Sequence, residues 1–155
     1  MANKITKERE LLNESMLKMS IALHSKLKNP SKLLFRMLQK YRIKSLTMVL
    51  LESSSSNLEE FIESNKRKTD LLISLTNNGK MCLVVCQDTK VDGGYYFYKR
   101  LSTKWRDNQN ETKLRATILA IESTSYELWD LIFTLIDQYR QMKLEKKLIS
   151  YKTIK

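Results

Sequence analysis

The feature that most constrains this chain is a change of rhythm near Lys68. Before it, apolar residues return every three or four positions, the spacing of a helix that buries one face. Leu12, Met16, Met19, Leu23 and Leu27 form one such stripe, and Leu34, Met37, Leu38 and Tyr41 form the next. After it, Leu71, Ile73 and Leu75 alternate with Leu72, Ser74 and Thr76, the spacing of a strand. Helical stripes followed by strand alternation point to an α+β protein.

The first stripe predicts a helix over 5–28. Asn29-Pro30 predicts a stop and a restart, since Asn caps helices and Pro suits a first helical position, with a second helix over 30–41. The apolar run from Ile43 to Leu51 fits either a continued helix or a buried strand over Leu46 to Leu51, and helix is the expectation taken. Ser53 to Ser56 reads as a short linker. Ser56 and Glu59 have capping-box spacing ahead of a short helix over about 57–67. The acidic residues that follow the serines also make them candidate phosphorylation sites.

Beyond Lys68, Asn77-Asn78-Gly79 signals a hairpin, because such turns need positive φ. Met81 to Gln87 then forms a second strand, Asp92-Gly93-Gly94 a second turn, and Tyr95 to Thr103 a third strand. Leu114 to Ile121 forms the fourth. Thr124 and Glu127 make another capping box, opening a long helix from Ser125 to about Leu148. The expected architecture is a helical N-terminal region followed by a four-stranded antiparallel sheet and a long C-terminal helix. Its divisions are a basic helical arm over 1–52, a Ser-rich linker and short helix over 53–69, a β-β-β-β-α core over 70–148, and a basic tail over 149–155.

Composition excludes several classes. Gly79, Gly93 and Gly94 are the only glycines, too few and too scattered for a phosphate-cradling glycine loop. Two cysteines and one histidine do not make a zinc cage. Cys82 and Cys86, four residues apart on one strand, lie roughly 13 Å apart, too far for a disulfide. His24 sits beside an apolar helical stripe and reads as a boundary residue. The chain has no Walker loop, HExxH or GxSxG, and the expectation is a protein without catalytic residues, metal or cofactor. No apolar run is long enough to span a membrane, and the start, Met1-Ala2-Asn3-Lys4, leads into a charged segment. An intracellular protein with no integral membrane association is expected.

The net charge is +11, from 28 basic and 17 acidic residues. Residues 1–52 hold +7 of it, residues 80–115 hold +4, and the remainder is nearly neutral. Such an excess usually faces nucleic acid or another anionic surface.

The fourth strand enters the long helix with almost no linker, through Leu119-Ala120-Ile121-Glu122-Ser123-Thr124-Ser125-Tyr126-Glu127-Leu128-Trp129. Four strands and then a helix with an early Trp resemble the Whirly and positive-cofactor-four group of single-stranded nucleic-acid-binding proteins. The resemblance covers about residues 70–140. It implies a non-enzymatic protein of transcription, replication or genome handling that binds single-stranded DNA or RNA.

The residues fit that expectation at the level of chemistry. Tyr96, Tyr98, Lys99, Arg100, Lys104, Trp105 and Arg106 lie close together in sequence, and Lys113 and Arg115 follow. Cations track phosphates and flat rings stack on bases. On a strand, Tyr96, Tyr98 and Arg100 share one face. Lys32, Arg36 and Lys40 form a ridge on the second helix that fits a phosphate backbone. Trp129, Phe133 and Ile136 make a second apolar stripe on the last helix, to be covered either by the N-terminal helices or by another subunit, and a homodimer or larger assembly through it is expected. The rival expectation is a protein-interaction module, such as a viral accessory or matrix-like factor, whose basic arm meets a partner protein or anionic membrane.

Overall fold

The computed structural model describes the backbone from residue 2 and the side chains from residue 14, except at residues 41, 56, 77, 109–112 and 124. Among the described residues, nine elements follow one another: α1 (Ala2–Gln39), β1 (Leu46–Glu52), α2 (Leu58–Asn65), β2 (Leu71–Ser74), β3 (Met81–Gln87), α3 (Val91–Asn108), β4 (Arg115–Ile121), α4 (Leu128–Leu144) and β5 (Ile149–Ile154). The strands form one five-stranded sheet in the order β2-β3-β1-β4-β5. β1 is antiparallel to both β3 and β4, β2 is antiparallel to β3, and β5 lies parallel to β4.

Helices cover both faces of this sheet, which explains the continuous apolar run in β1. Met48 and Leu50 point into the core beneath α1 and α4, with Leu83, Leu119 and Leu135. Val49 and Leu51 point the other way, into the core beneath α2 and α3, with Ile62, Leu101 and Trp105. A strand apolar on both faces loses the alternation that marks a one-sided sheet. This is why residues 46–52, expected as helix, are instead the central strand.

The expected four-stranded antiparallel sheet is corrected in two further places. Residues 95–103, expected as a strand, lie within α3. Their tyrosines favour strands, but the buried positions Gly94, Phe97, Tyr98, Leu101 and Trp105 follow helical spacing, and that stripe packs on the sheet. Asp92-Gly93-Gly94, expected as a turn, forms the first turn of α3. Gly94 is needed there: a Cβ would lie 2.8 Å from the Thr47 methyl and 2.9 Å from a methyl of Ile118. The second place is the C-terminus, expected as a tail beyond the sheet. Residues 149–154 instead bond along the free edge of β4, with Ala116 N–H donating to Leu148 O at 2.9 Å and Glu122 N–H to Ile154 O at 2.9 Å.

Two helix boundaries also differ. Pro30 lies inside α1 and does not stop it. The bond its missing N–H removes costs less than the burial of Leu23, Leu27, Leu34 and Leu38 on either side of it. Residue 56, expected to cap α2, lies outside the described residues, as does residue 124. α4 is capped one turn later by a reciprocal pair, Glu127 and Asp130. The expected hairpin is present: Gly79 has φ 67° and Leu75 N–H donates to Met81 O at 3.0 Å.

Candidate anion-binding cleft

At the C-terminal end of β1, three segments meet. Ser53 N–H donates to Lys80 O at 2.9 Å, which ties the loop after β1 to the β2–β3 hairpin. Sheet register sets Glu52 opposite Met81 on one side and Arg115 on the other. Together with α4 these segments enclose a cleft of about 480 Å3. Lys80 comes from the hairpin, Lys113 and Arg115 from the start of β4, and Lys143 from the end of α4. Among the described lining residues Glu52 is the one carboxylate, and Ser54, Thr76 and Asn78 add polar groups.

The cations differ in what holds them. Lys143 Nζ donates to Glu52 Oε1 at 2.8 Å, and the Tyr139 hydroxyl donates to Glu52 Oε2. Burial, then the bond and charge of Glu52, hold the Tyr139 hydroxyl well above the usual phenol range, so it stays protonated and donating. Lys80 and Lys113 are exposed. Thr76 Oγ1 accepts from the N–H groups of Lys80 and Met81, at 3.2 and 3.3 Å, which fixes the hairpin. The arrangement is rich in cationic donors and poor in carboxylates, the chemistry of a phosphate site. Among the described residues, no group of three or more His, Cys, Asp or Glu side chains is placed to hold a metal ion.

Of the sequence-selected residues, Lys113 and Arg115 enter this cleft. Tyr96 and Arg100 line a different one, with Arg67, Asp70, Asp88 and Asp92, beside the start of α3. Tyr96 is 67% exposed, whereas Tyr98 is buried and its hydroxyl donates to Leu114 O at 2.8 Å. Trp105 is buried, edge-on to Phe61 at 5.0 Å. Lys99 lies over the Tyr95 ring, and Lys104 Nζ donates to Asn65 Oδ1 at 3.1 Å. Arg106 is exposed on α3, and Lys32, Arg36 and Lys40 are exposed along and just beyond the end of α1. Sequence reading missed Glu52, Lys80 and Lys143, which only the topology brings together. The one local signal was a lysine directly after the Asn-Asn-Gly turn.

No family model matches this chain, and no curated protein matches it by sequence. Among solved structures, it is similar to the active GGEEF domain of a diguanylate cyclase from Vibrio cholerae, with a TM-score of 0.58 and 14% identity over 78% of this chain and 89% of that one. At that identity the likeness shows the fold. The letters GGEEF do not occur here; the single Gly-Gly pair continues as Tyr95-Tyr96-Phe97. The likeness overturns the expected Whirly-type fold. The single-stranded DNA or RNA partner, the role in transcription and the non-enzymatic assignment, drawn from that resemblance together with the charge pattern and the lack of catalytic motifs, are withdrawn with it. The stripe expected to drive assembly, Trp129, Phe133 and Ile136, is in part covered within the chain, with Phe133 left exposed. Ile136 is buried within the chain, and Trp129 stacks on His24 of α1 at 3.9 Å. The helical arm of the rival reading is part of the domain: Met16, Leu23, Leu27, Leu34 and Leu38 of α1 belong to the core, while its basic residues Lys32, Arg36 and Lys40 stay exposed. Among the described residues, no helix is long and apolar enough to cross a membrane.

Proposed function

We propose that this domain binds a nucleoside polyphosphate, with its phosphates in the cleft of Lys80, Lys113, Arg115 and Lys143. The observation that carries the reading is the convergence of four cations from three segments on one cleft in which, among the described residues, Glu52 is the single carboxylate. Phosphate oxygens accept charge-assisted hydrogen bonds from such donors. The fold supports the reading, because a diguanylate cyclase uses it. That enzyme's name makes GTP the first nucleotide to test. An intracellular setting fits, where nucleotides are abundant and thiols such as Cys82 and Cys86 stay reduced.

Isothermal titration with GTP tests the proposal. Binding should weaken as salt rises, because exposed charges are screened. Replacing Lys80→Ala together with Lys113→Ala should weaken binding by about tenfold or more while leaving the melting temperature unchanged, since both side chains are exposed. Absence of GTP binding at low salt, or unchanged binding by the double variant, would overturn it.

A further inference from the structure

A second hollow of about 580 Å3 opens beside the cationic cleft, between α1, the β2–β3 hairpin and α4. The two share Thr76, Met81 and Lys143, so one ligand can occupy both. The walls of the hollow are apolar: Met16, Met19 and Ala22 from α1, Leu75 and Met81 from the hairpin. Thioethers are polarizable and adapt to flat rings, which favours an aromatic occupant. Among the described residues, no carboxylate lines the hollow, and the cation lining it from α1 is Lys18, which is exposed and makes none of the ion pairs found there.

Resting on the phosphate reading above, we infer that this hollow receives the base of the bound nucleotide and that Lys18 reads the base edge. An ammonium only donates hydrogen bonds. Guanine offers two acceptors on one edge, N7 and O6, whereas adenine sets its N6 donor beside N7. Lys18 therefore favours guanine over adenine. The continuity of the two hollows commits the apolar one to the nucleoside end of the ligand, since the phosphates are drawn to the cations. Ligand binding would also brace α1 against the hairpin, adding to the bond from Lys26 Nζ to Ser74 O.

The test titrates GTP, ATP and inorganic tripolyphosphate into the full chain and into two variants. Ala22→Phe fills the hollow and should weaken GTP by about tenfold while leaving tripolyphosphate unchanged. Lys18→Gln, at an exposed position that leaves folding intact, should bring the GTP and ATP affinities together without affecting tripolyphosphate. GTP binding by Ala22→Phe at the original affinity would overturn the base assignment while leaving the phosphate cleft in place. So would equal losses for GTP and tripolyphosphate in Lys18→Gln, which would make Lys18 a bulk charge. Should Ala22→Phe fail to fold, Lys18→Gln decides alone. Failure of both GTP and tripolyphosphate to bind the unaltered chain is the separate result that removes the phosphate reading itself.

Discussion

The two clefts at opposite ends of β3 hold the same number of cations and put them to different uses. At the hairpin end, Lys80, Lys113, Arg115 and Lys143 face, among the described residues, one carboxylate, Glu52. At the other end, Lys44, Arg67, Lys90 and Arg100 share a cleft of about 670 Å3 with Asp70, Asp88 and Asp92. There Arg67 is fully engaged. Its guanidinium grips Asp70 at 2.9 and 3.1 Å and reaches Gln87 O at 3.1 Å and Thr89 Oγ1 at 2.8 Å. Lys44 N–H donates to Asp88 Oδ1 at 2.9 Å. One end is a clamp that joins the segment before β2 to the end of β3. The other leaves positive charge available to a ligand. A count of Lys and Arg separates neither; what matters is which cations already have an anion.

The comparison breaks most visibly through Arg67→Ala. Asp70 has a side chain only 1% exposed, so losing its partner leaves a buried carboxylate in part unpaired. The expected cost is about 2–3 kcal/mol, below the usual figure for a buried pair because Arg67 is itself half exposed. Denaturant unfolding would show it, with GTP affinity unchanged. A variant as stable as the parent would mean that the clamp is ornamental. A variant that loses GTP binding without losing stability would move the site to the other end of β3.

The thiols sharpen the same contrast through pH. Burial, with Asp70 next in importance, pushes the Cys86 thiol up to about 12, and burial pushes Cys82 up to about 11. In the unfolded chain both ionise near 9.0. Each folded thiol thus holds its proton longer than its unfolded counterpart. The stability this represents is complete below pH 9 and is lost as pH rises, by up to about 1.4 kcal/mol per unit for each thiol. The loss ends near 11 for Cys82 and near 12 for Cys86. Unfolding measured at pH 8 and pH 10 should show the fall, and Cys86→Ala should make it clearly smaller without abolishing it, since Cys82 and the raised Tyr139 and Tyr98 hydroxyls contribute in the same direction. A flat profile in the parent chain would show that the folded thiols ionise as freely as unfolded ones.

Legibility in the sequence followed the physics of each element. The Leu71–Gln87 hairpin was readable because Gly79 needs positive φ and both strands are bounded by it. The strand at 115–121 was readable from its alternation, and the long final helix from its stripe. β1 was not, because a strand covered on both faces and an interior helical stretch show the same unbroken apolar run. α3 misled through composition. Its tyrosines suggested a strand, while its buried residues 94, 97, 98, 101 and 105 kept helical time. Once that segment is a helix, Tyr96 and Tyr98 part company, one exposed and one buried. The cleft was half legible. Lys113 and Arg115 stood out as basic residues before a strand, but Glu52, Lys80 and Lys143 become neighbours only through the strand order β3-β1-β4.

Glu52 gives the finest test of the contrast, because it is the single feature that makes the hairpin cleft resemble its neutralised counterpart. Its carboxylate occupies Lys143 and opposes any phosphate placed among the four cations. Glu52→Gln removes the charge and keeps an oxygen that can still accept from the Tyr139 hydroxyl. At a partly screened separation the relief of one like charge is worth on the order of 1 kcal/mol, so GTP should bind about threefold to fivefold more tightly. Stability should change little, since Lys143 is half-buried and can turn to solvent. The same titration distinguishes the opposite case. Weaker GTP binding by Glu52→Gln would mean that the carboxylate acts on the ligand with the cations, by orienting Lys143 or by holding a cation that arrives with the phosphates, and the cleft would then have to be read as a mixed-charge site.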